Sequence, residues 1–173
     1  MNDEEILGRI RELGLELPPP PAAVAAYLPC VVHGSLAFVA GQIAMTGGEV
    51  LHPGSLGDGV GLDEGVEAAR QAALQALSAL RAALGGSFER VERILQVTVF
   101  VASVTGFVEH PKVANGASEL LAEILGEAGR HARAAVGVPS LPLGAPVELV
   151  MTAAVRATWL SRPGGTEGPP GAG

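Results

Sequence analysis

Apolar residues recur along this chain with two periods, and each change of period marks an element. Ile6, Ile10 and Leu13 fall at i, i+4 and i+7, which predicts a short helix with Asp3 able to cap it and Gly14 where it stops. Pro18 to Pro21 forbid helix or central strand and predict a stiff extended spacer. Val31–Val32, a turn at His33–Ser35, and Leu36 to Ala40 ending at Gly41–Gln42 read as a β-hairpin. Met45 to Gly61 holds six glycines and one proline and reads as a loop with room for one hairpin.

The helical period returns over Asp63–Leu84, with Val66, Ala73, Leu77, Leu80 and Leu84 on one stripe and Gly85–Gly86 as the stop. Ile94–Ala102 is β-branched and apolar almost throughout, as expected of a central strand covered on both faces. Pro111 suits a first helical turn, and Val113, Ala117, Leu120, Leu121 and Ile124 form a second core stripe ended by Gly126. Ala132–Val138 and Val147–Ala157 read as strands separated by Pro139, Pro142, Gly144 and Pro146. The order ββ(β)αβαββ predicts an α+β sandwich, a mixed sheet with two helices on one face. A strand apolar on both faces then requires a second cover, so the chain is expected to form a homo-oligomer.

With 173 residues the chain fits one domain, read as an accessory helix and spacer over 1–26, the domain proper over 27–158, and a disordered tail over 159–173. Eleven Lys+Arg against 18 Asp+Glu give a net charge of −7, and aromatics are 3%. That leaves neither a basic surface nor stacking platforms, so no nucleic-acid partner is expected. Mean hydropathy is +0.36, but Gly, Pro and charge cut every apolar run well short of a membrane span, so no membrane partner is expected. An acidic start and a single cysteine, Cys30, fit a cytoplasmic location.

Two charges stand alone in apolar strands, Arg133 and Glu148. The guanidinium offers a planar fork for a carboxylate, and a partly desolvated Glu148 suits a general acid or base. Equally, the two could simply pair with each other or with local backbone as a buried ion pair. Tyr27 could meet a ligand at a cleft mouth or be a core or rim tyrosine, Gly41 marks close approach of backbone to a ligand or a plain turn, and Asn115 either reaches a strand or a neighbouring subunit or is exposed filler. His33, His52, His110 and His131 show no metal spacing and read as turn or surface residues, and no metal is expected. Cys30 reads as a small buried side chain, with a nucleophile as the alternative. No nucleophile elbow or phosphate loop is present in the sequence.

Four segments together resemble one family: Phe38 to Ile43 (FVAGQI), Val97 to Val101 (VTVFV), Val113 to Asn115 (VAN), and His131 to Val136 (HARAAV) followed by Leu141–Pro142 and Val147–Glu148. The pattern, over roughly Tyr27 to Arg156, is similar to the RidA/YjgF reactive-intermediate deaminases, also labelled endoribonuclease L-PSP. The resemblance implies a chorismate-mutase-like fold and a homotrimer with a central barrel and a ligand cleft at each subunit boundary. It implies cofactor-free hydrolysis of enamines and imines such as 2-aminoacrylate to 2-oxo acids and ammonia. Arg133 matches the arginine that grips the substrate carboxylate and Glu148 the glutamate that orients water. Tyr27, Gly41 and Asn115 match cleft positions, with backbone contacts from Ala134 and Ala135. Those two alanines replace residues that are often polar or bulky, which widens the pocket and leaves the substrate open; the N-terminal helix and the Gly47–Gly61 loop fit a longer branch of the family. A non-catalytic module binding a 2-oxo or amino acid in the same cleft is the alternative, and a ribonuclease is disfavoured by charge and aromatic content.

Overall fold

The computed structural model describes residues 2–21 and 26–157. Helix α1 (Asp3–Glu12) is followed by strands β1 (Cys30–His33) and β2 (Leu36–Ile43) and by four two-residue strands, β3 (Met45–Thr46), β4 (Glu49–Val50), β5 (Ser55–Leu56) and β6 (Gly59–Val60). Then come α2 (Leu62–Ala83), β7 (Val91–Ala102), α3 (His110–Leu125), β8 (Ala132–Val138) and β9 (Val147–Val155). Five strands make one mixed sheet in the order β1-β2-β9-β7-β8, in which only β7 and β8 are parallel. The expected 159–173 tail lies outside the described residues.

Alternation along the strands sorts the sheet into two unlike faces. Val97, Val99 and Val101 of β7, Leu149, Met151 and Ala153 of β9, and Ala37 and Val39 of β2 are buried beneath the helices. The opposite face carries Phe38, Gln96, Thr98, Phe100, Glu148, Val150 and Thr152, which are half-buried or exposed in the single chain. β7 is therefore interior to the sheet as expected, but this chain covers one of its faces only.

Helix α2 is built largely of alanine and leucine and packs closely on α3: a Cβ at Gly116 would sit 2.3 Å from the Val66 carbonyl oxygen. α1 shares the same core, because Ile6 and Ile10 are each 1% exposed and Arg9 donates to the Ile124 carbonyl. Its cap differs from expectation. Asn2, with extended backbone, accepts from the Glu4 N–H, while the Asp3 carboxylate is drawn away to Arg81 Nε and Nη2 (3.1 and 2.8 Å) and the Phe88 N–H (2.8 Å). Arg81 accordingly holds the Asp3 carboxyl below its ordinary value. The glycine-rich segment forms the β3–β4 hairpin and a short parallel β5–β6 pairing.

Candidate functional site

β8 is an edge strand with β7 as its sheet neighbour, and residue 133 sits in register with Val97, whose side chain faces the helices. Arg133 therefore turns toward α3. Pro111, Asn115 and Ser118, at i, i+4 and i+7, present one edge of α3 to it. Arg133 Nη1 donates to Asn115 Oδ1 (2.9 Å) and Ser118 Oγ (3.1 Å), and Nη2 donates to the Pro111 carbonyl (3.4 Å). A guanidinium has five N–H groups, so Nε–H and one Nη2–H keep no partner among the described residues. They form one side of the planar fork, the geometry that takes a carboxylate in bidentate fashion. No carboxylate of the described residues lies within ion-pair distance of Arg133.

Glu148 occupies the other face. It is in register with Phe100 of β7 and Ile43 of β2. The β2–β9 register shifts between Val39 and Gln42, a bulge that sets Gly41 directly against the glutamate. A Cβ at Gly41 would lie 1.8 Å from Glu148 Oε1, so the carboxylate keeps its present position only with glycine here. The buried Gln42 side chain pins the bulge by donating to the Ala40 and Gly41 carbonyls. Glu148 accepts no hydrogen bond from the described residues, and partial burial pushes its carboxyl above the usual value. The close approach expected at Gly41 is thus an approach to Glu148 itself.

β7 lies between β8 and β9, so the simple hairpin that would face Arg133 with Glu148 does not form. Within one chain the two charges lie on opposite faces of the sheet, three residues out of register along β7. Within one chain Arg133 and Glu148 therefore do not pair with each other, while Arg133 does bond local backbone at the Pro111 carbonyl. Pro29 O accepts from the Ala40 N–H, which brings the chain entering β1, with Tyr27 (54% exposed), to the Gly41 end of the sheet. Asn115 reaches the strand rather than being filler. Ala134 is exposed and Ala135 half-buried along the edge strand. Two candidate groupings result: Arg133 with Asn115 and Ala135 on the helix side, and Glu148 with Gly41 and the approach to Tyr27 on the other face, the one to which Ala134, in register with Thr98, belongs.

Two histidines expected in turns or on the surface are half-buried and bonded. His110 meets Ser103 Oγ (3.0 Å) and stacks edge-on with Phe107, and a Cβ at Gly137 would crowd it at 2.5 Å. His131 meets Ser118 Oγ (3.1 Å) and the Gly129 carbonyl (2.6 Å). Ser118 and the Pro111 carbonyl were not anticipated as partners of Arg133; their helical spacing with Asn115 is the signal that finds them. Cys30 is buried, which pushes its thiol up to about 11 and fits the packing reading over the nucleophile. Surface hollows of about 380 Å³ beside Arg93, Arg130 and His131, and about 220 Å³ over Phe38, Gln96 and Thr152, include neither Arg133 nor Glu148.

The family model described as "YjgF/chorismate mutase-like, putative endoribonuclease" matches residues 8–155, most of the chain. The chain belongs to this YjgF family. Protein TCP17 of Trypanosoma cruzi is 41% identical over 145 residues, covering 83% of this chain and 90% of that protein. The crystal structure of Atu1372 from Agrobacterium tumefaciens, a protein of unknown function, has a TM-score of 0.84 at 41% identity and covers 88% of this chain and 94% of that one. A second YjgF-like crystal structure, of a Shewanella oneidensis MR-1 protein described as an endoribonuclease, has a TM-score of 0.82 at 35% identity over 87% of this chain and 99% of that one. The mixed α+β fold, with three α-helices and a mixed sheet among the described residues, matches these two crystal structures. Among the described residues no helix is long and apolar enough to cross a membrane.

Proposed function

We propose that this YjgF-family chain is a cofactor-free hydrolytic deaminase of small carboxylate-bearing imines and enamines, working in the cytoplasm as a homotrimer. Each cleft joins the Arg133 half-site of one subunit to the Glu148 half-site of its neighbour. The observation that carries the reading is the complementary incompleteness of the two halves: a guanidinium edge with unspent donors, and a half-buried carboxylate with no donor. They lie on opposite sheet faces, so a second copy must unite them.

In this mechanism the substrate carboxylate takes the Nε and Nη2 hydrogens of Arg133. An enamine first tautomerises to its imine. Glu148 then accepts a proton from a water whose oxygen attacks the imine carbon, giving a carbinolamine. The carboxyl returns that proton to nitrogen, then takes the carbinolamine hydroxyl proton and passes it to the same nitrogen as the C–N bond breaks, so that ammonia departs and a 2-oxo acid remains. Burial keeps the Glu148 carboxyl above its ordinary value, closer to the working pH of a proton carrier.

The test mixes inactive Arg133→Ala and Glu148→Gln subunits, each folded and trimeric, with an imine generated in situ. Ammonia release should return, because some mixed clefts hold both residues intact. Proven subunit exchange with no recovered activity sinks the shared cleft. A non-catalytic carboxylate-binding role is the second reading, favoured by Ala134 and Ala135, which bring no polar side chain to the edge strand after Arg133. Pyruvate binding without ammonia release from any imine would establish it. Ribonuclease activity is the weakest reading at a net charge of −7, and RNA cleavage that fails to weaken with salt would not be phosphate-driven.

A further inference from the structure

We infer that Ser118 and His131 are positioning residues of the carboxylate site, a hydrogen-bond relay that fixes the orientation of the Arg133 guanidinium. The inference rests on the reading of Arg133 as the carboxylate anchor.

The direction of every bond in the relay follows from which group can donate. The Gly129 carbonyl, 2.6 Å from His131 Nδ1, can only accept, so Nδ1 carries the hydrogen. In the neutral ring Nε2 is then a bare acceptor, and the partner at 3.1 Å is the Ser118 hydroxyl, which donates to it. With its one hydrogen committed to His131, Ser118 Oγ turns its lone pairs to Arg133 Nη1, which donates at 3.1 Å. The donors run one way, from Arg133 through Ser118 and His131 to Gly129, and bonds aligned in this manner polarise one another.

The ring is kept in that neutral form by its surroundings. Burial lowers the His131 pKa, the Gly129 bond opposes this, and the Arg133 charge lowers it further. The far end of the relay is equally fixed. Gly129 is buried in a short 3-10 turn (Gly126–Gly129), where a Cβ would lie 2.0 Å from the Leu121 carbonyl oxygen, so the turn lies tight against α3. Asn115 Oδ1 takes the second Nη1 hydrogen. With both Nη1 hydrogens held, rotation about the Nε–Cζ bond is opposed, and the unspent Nε and Nη2 hydrogens are kept in one orientation. Removing the relay leaves Asn115 and the Pro111 carbonyl as partners, so the anchor loosens without being lost.

The test reads the guanidinium and the ligand separately. Rotation about Arg133 Nε–Cζ is measured by NMR exchange on the full-length, ligand-free protein, and pyruvate affinity by calorimetry, in Ser118→Ala, Ser118→Thr, His131→Asn, His131→Gln, the Ser118→Ala/His131→Asn pair and Arg133→Ala. Gln sets an acceptor where Nε2 stood, whereas Asn reproduces only the Nδ1 side. Ser118→Ala and His131→Asn should each speed rotation and weaken pyruvate binding roughly fivefold, the worth of about one charge-assisted hydrogen bond near the surface. Ser118→Thr and His131→Gln should stay near wild type, and the double variant should be no weaker than Ser118→Ala alone. Unchanged rotation, equal losses for Gln and Asn, or losses that add overturn the relay. Faster rotation without weaker binding, while Arg133→Ala abolishes binding, overturns its positioning role. If Arg133→Ala binds pyruvate as wild type does, the anchor reading falls instead, and the rotation rates still decide whether the relay holds the guanidinium.

Discussion

On the helix side of the sheet Arg133 is built in: three neighbours on α3 hold it, and a histidine backs one of them, Ser118. On the open side Glu148 is held by nothing but room, supplied by a missing side chain at Gly41 and by a bulge. The guanidinium half is thus specified by contacts and the carboxylate half by an absence of bulk. The difference has a chemical logic. An anchor must present one edge in one orientation, so its other donors are spent on fixed partners. A proton carrier must keep its lone pairs for water, and a carboxylate saturated by backbone donors would be stabilised as the anion and lose its basicity.

The largest effect that could break this contrast is Gly41→Ala. The new Cβ would overlap the present position of Glu148 Oε1, so the carboxylate must swing away. Imine hydrolysis should fall by about a hundredfold, the scale of misplacing a reacting group by an ångström. Pyruvate affinity should change little, because the carboxylate is taken by Arg133 of the adjoining subunit, whose partners on α3 the substitution does not touch. Equal losses of binding and turnover would show that the halves are not separable.

Next in size is Arg133→Lys. An ammonium cannot serve Asn115, Ser118 and a bidentate carboxylate at once, so carboxylate affinity should drop by roughly ten- to a hundredfold in titration calorimetry. A lysine variant that binds as well as wild type would mean that charge alone, rather than the fork, makes the site.

What could be read from the chain before its structure follows the same division. Helices α2 and α3 announce themselves through stripes such as Val113, Ala117, Leu120 and Ile124, because local periodicity reports burial directly. Arg133 and Glu148 stand out because an isolated charge in an apolar strand needs a reason. Which face each occupies does not stand out: it depends on β9 inserting between β2 and β7, a long-range pairing, and on a bulge at residues 40–41 that shifts the register. The Ser118–His131 relay was hidden for a related reason, since His131 looks like a turn residue until the strand after it is docked on α3. Asp3 looked like a cap until its distant partners Arg81 and Phe88 were in place.

The smallest effect sharpens the comparison through stability, because Glu148 and Asp3 titrate in opposite senses. Arg81 and the Phe88 N–H hold the folded Asp3 carboxyl below 3.8, so its contribution is complete above that value and is lost as pH falls through the folded one. Burial raises the folded Glu148 carboxyl above 4.5, so the fold is favoured by its protonated form and gives up that contribution as pH rises through the raised value. Asp3→Asn should therefore cost about 1–2 kcal/mol near neutrality, where it breaks partly exposed charge-assisted bonds, with the deficit shrinking in acid. Glu148→Gln should be as stable as wild type or slightly more so near neutrality, with its advantage vanishing below pH 4.5. Denaturant melts of both variants across that range measure the two slopes. Slopes of the same sign would mean that Glu148 is stabilised as an anion after all, and the carboxylate half-site would lose the basicity assigned to it.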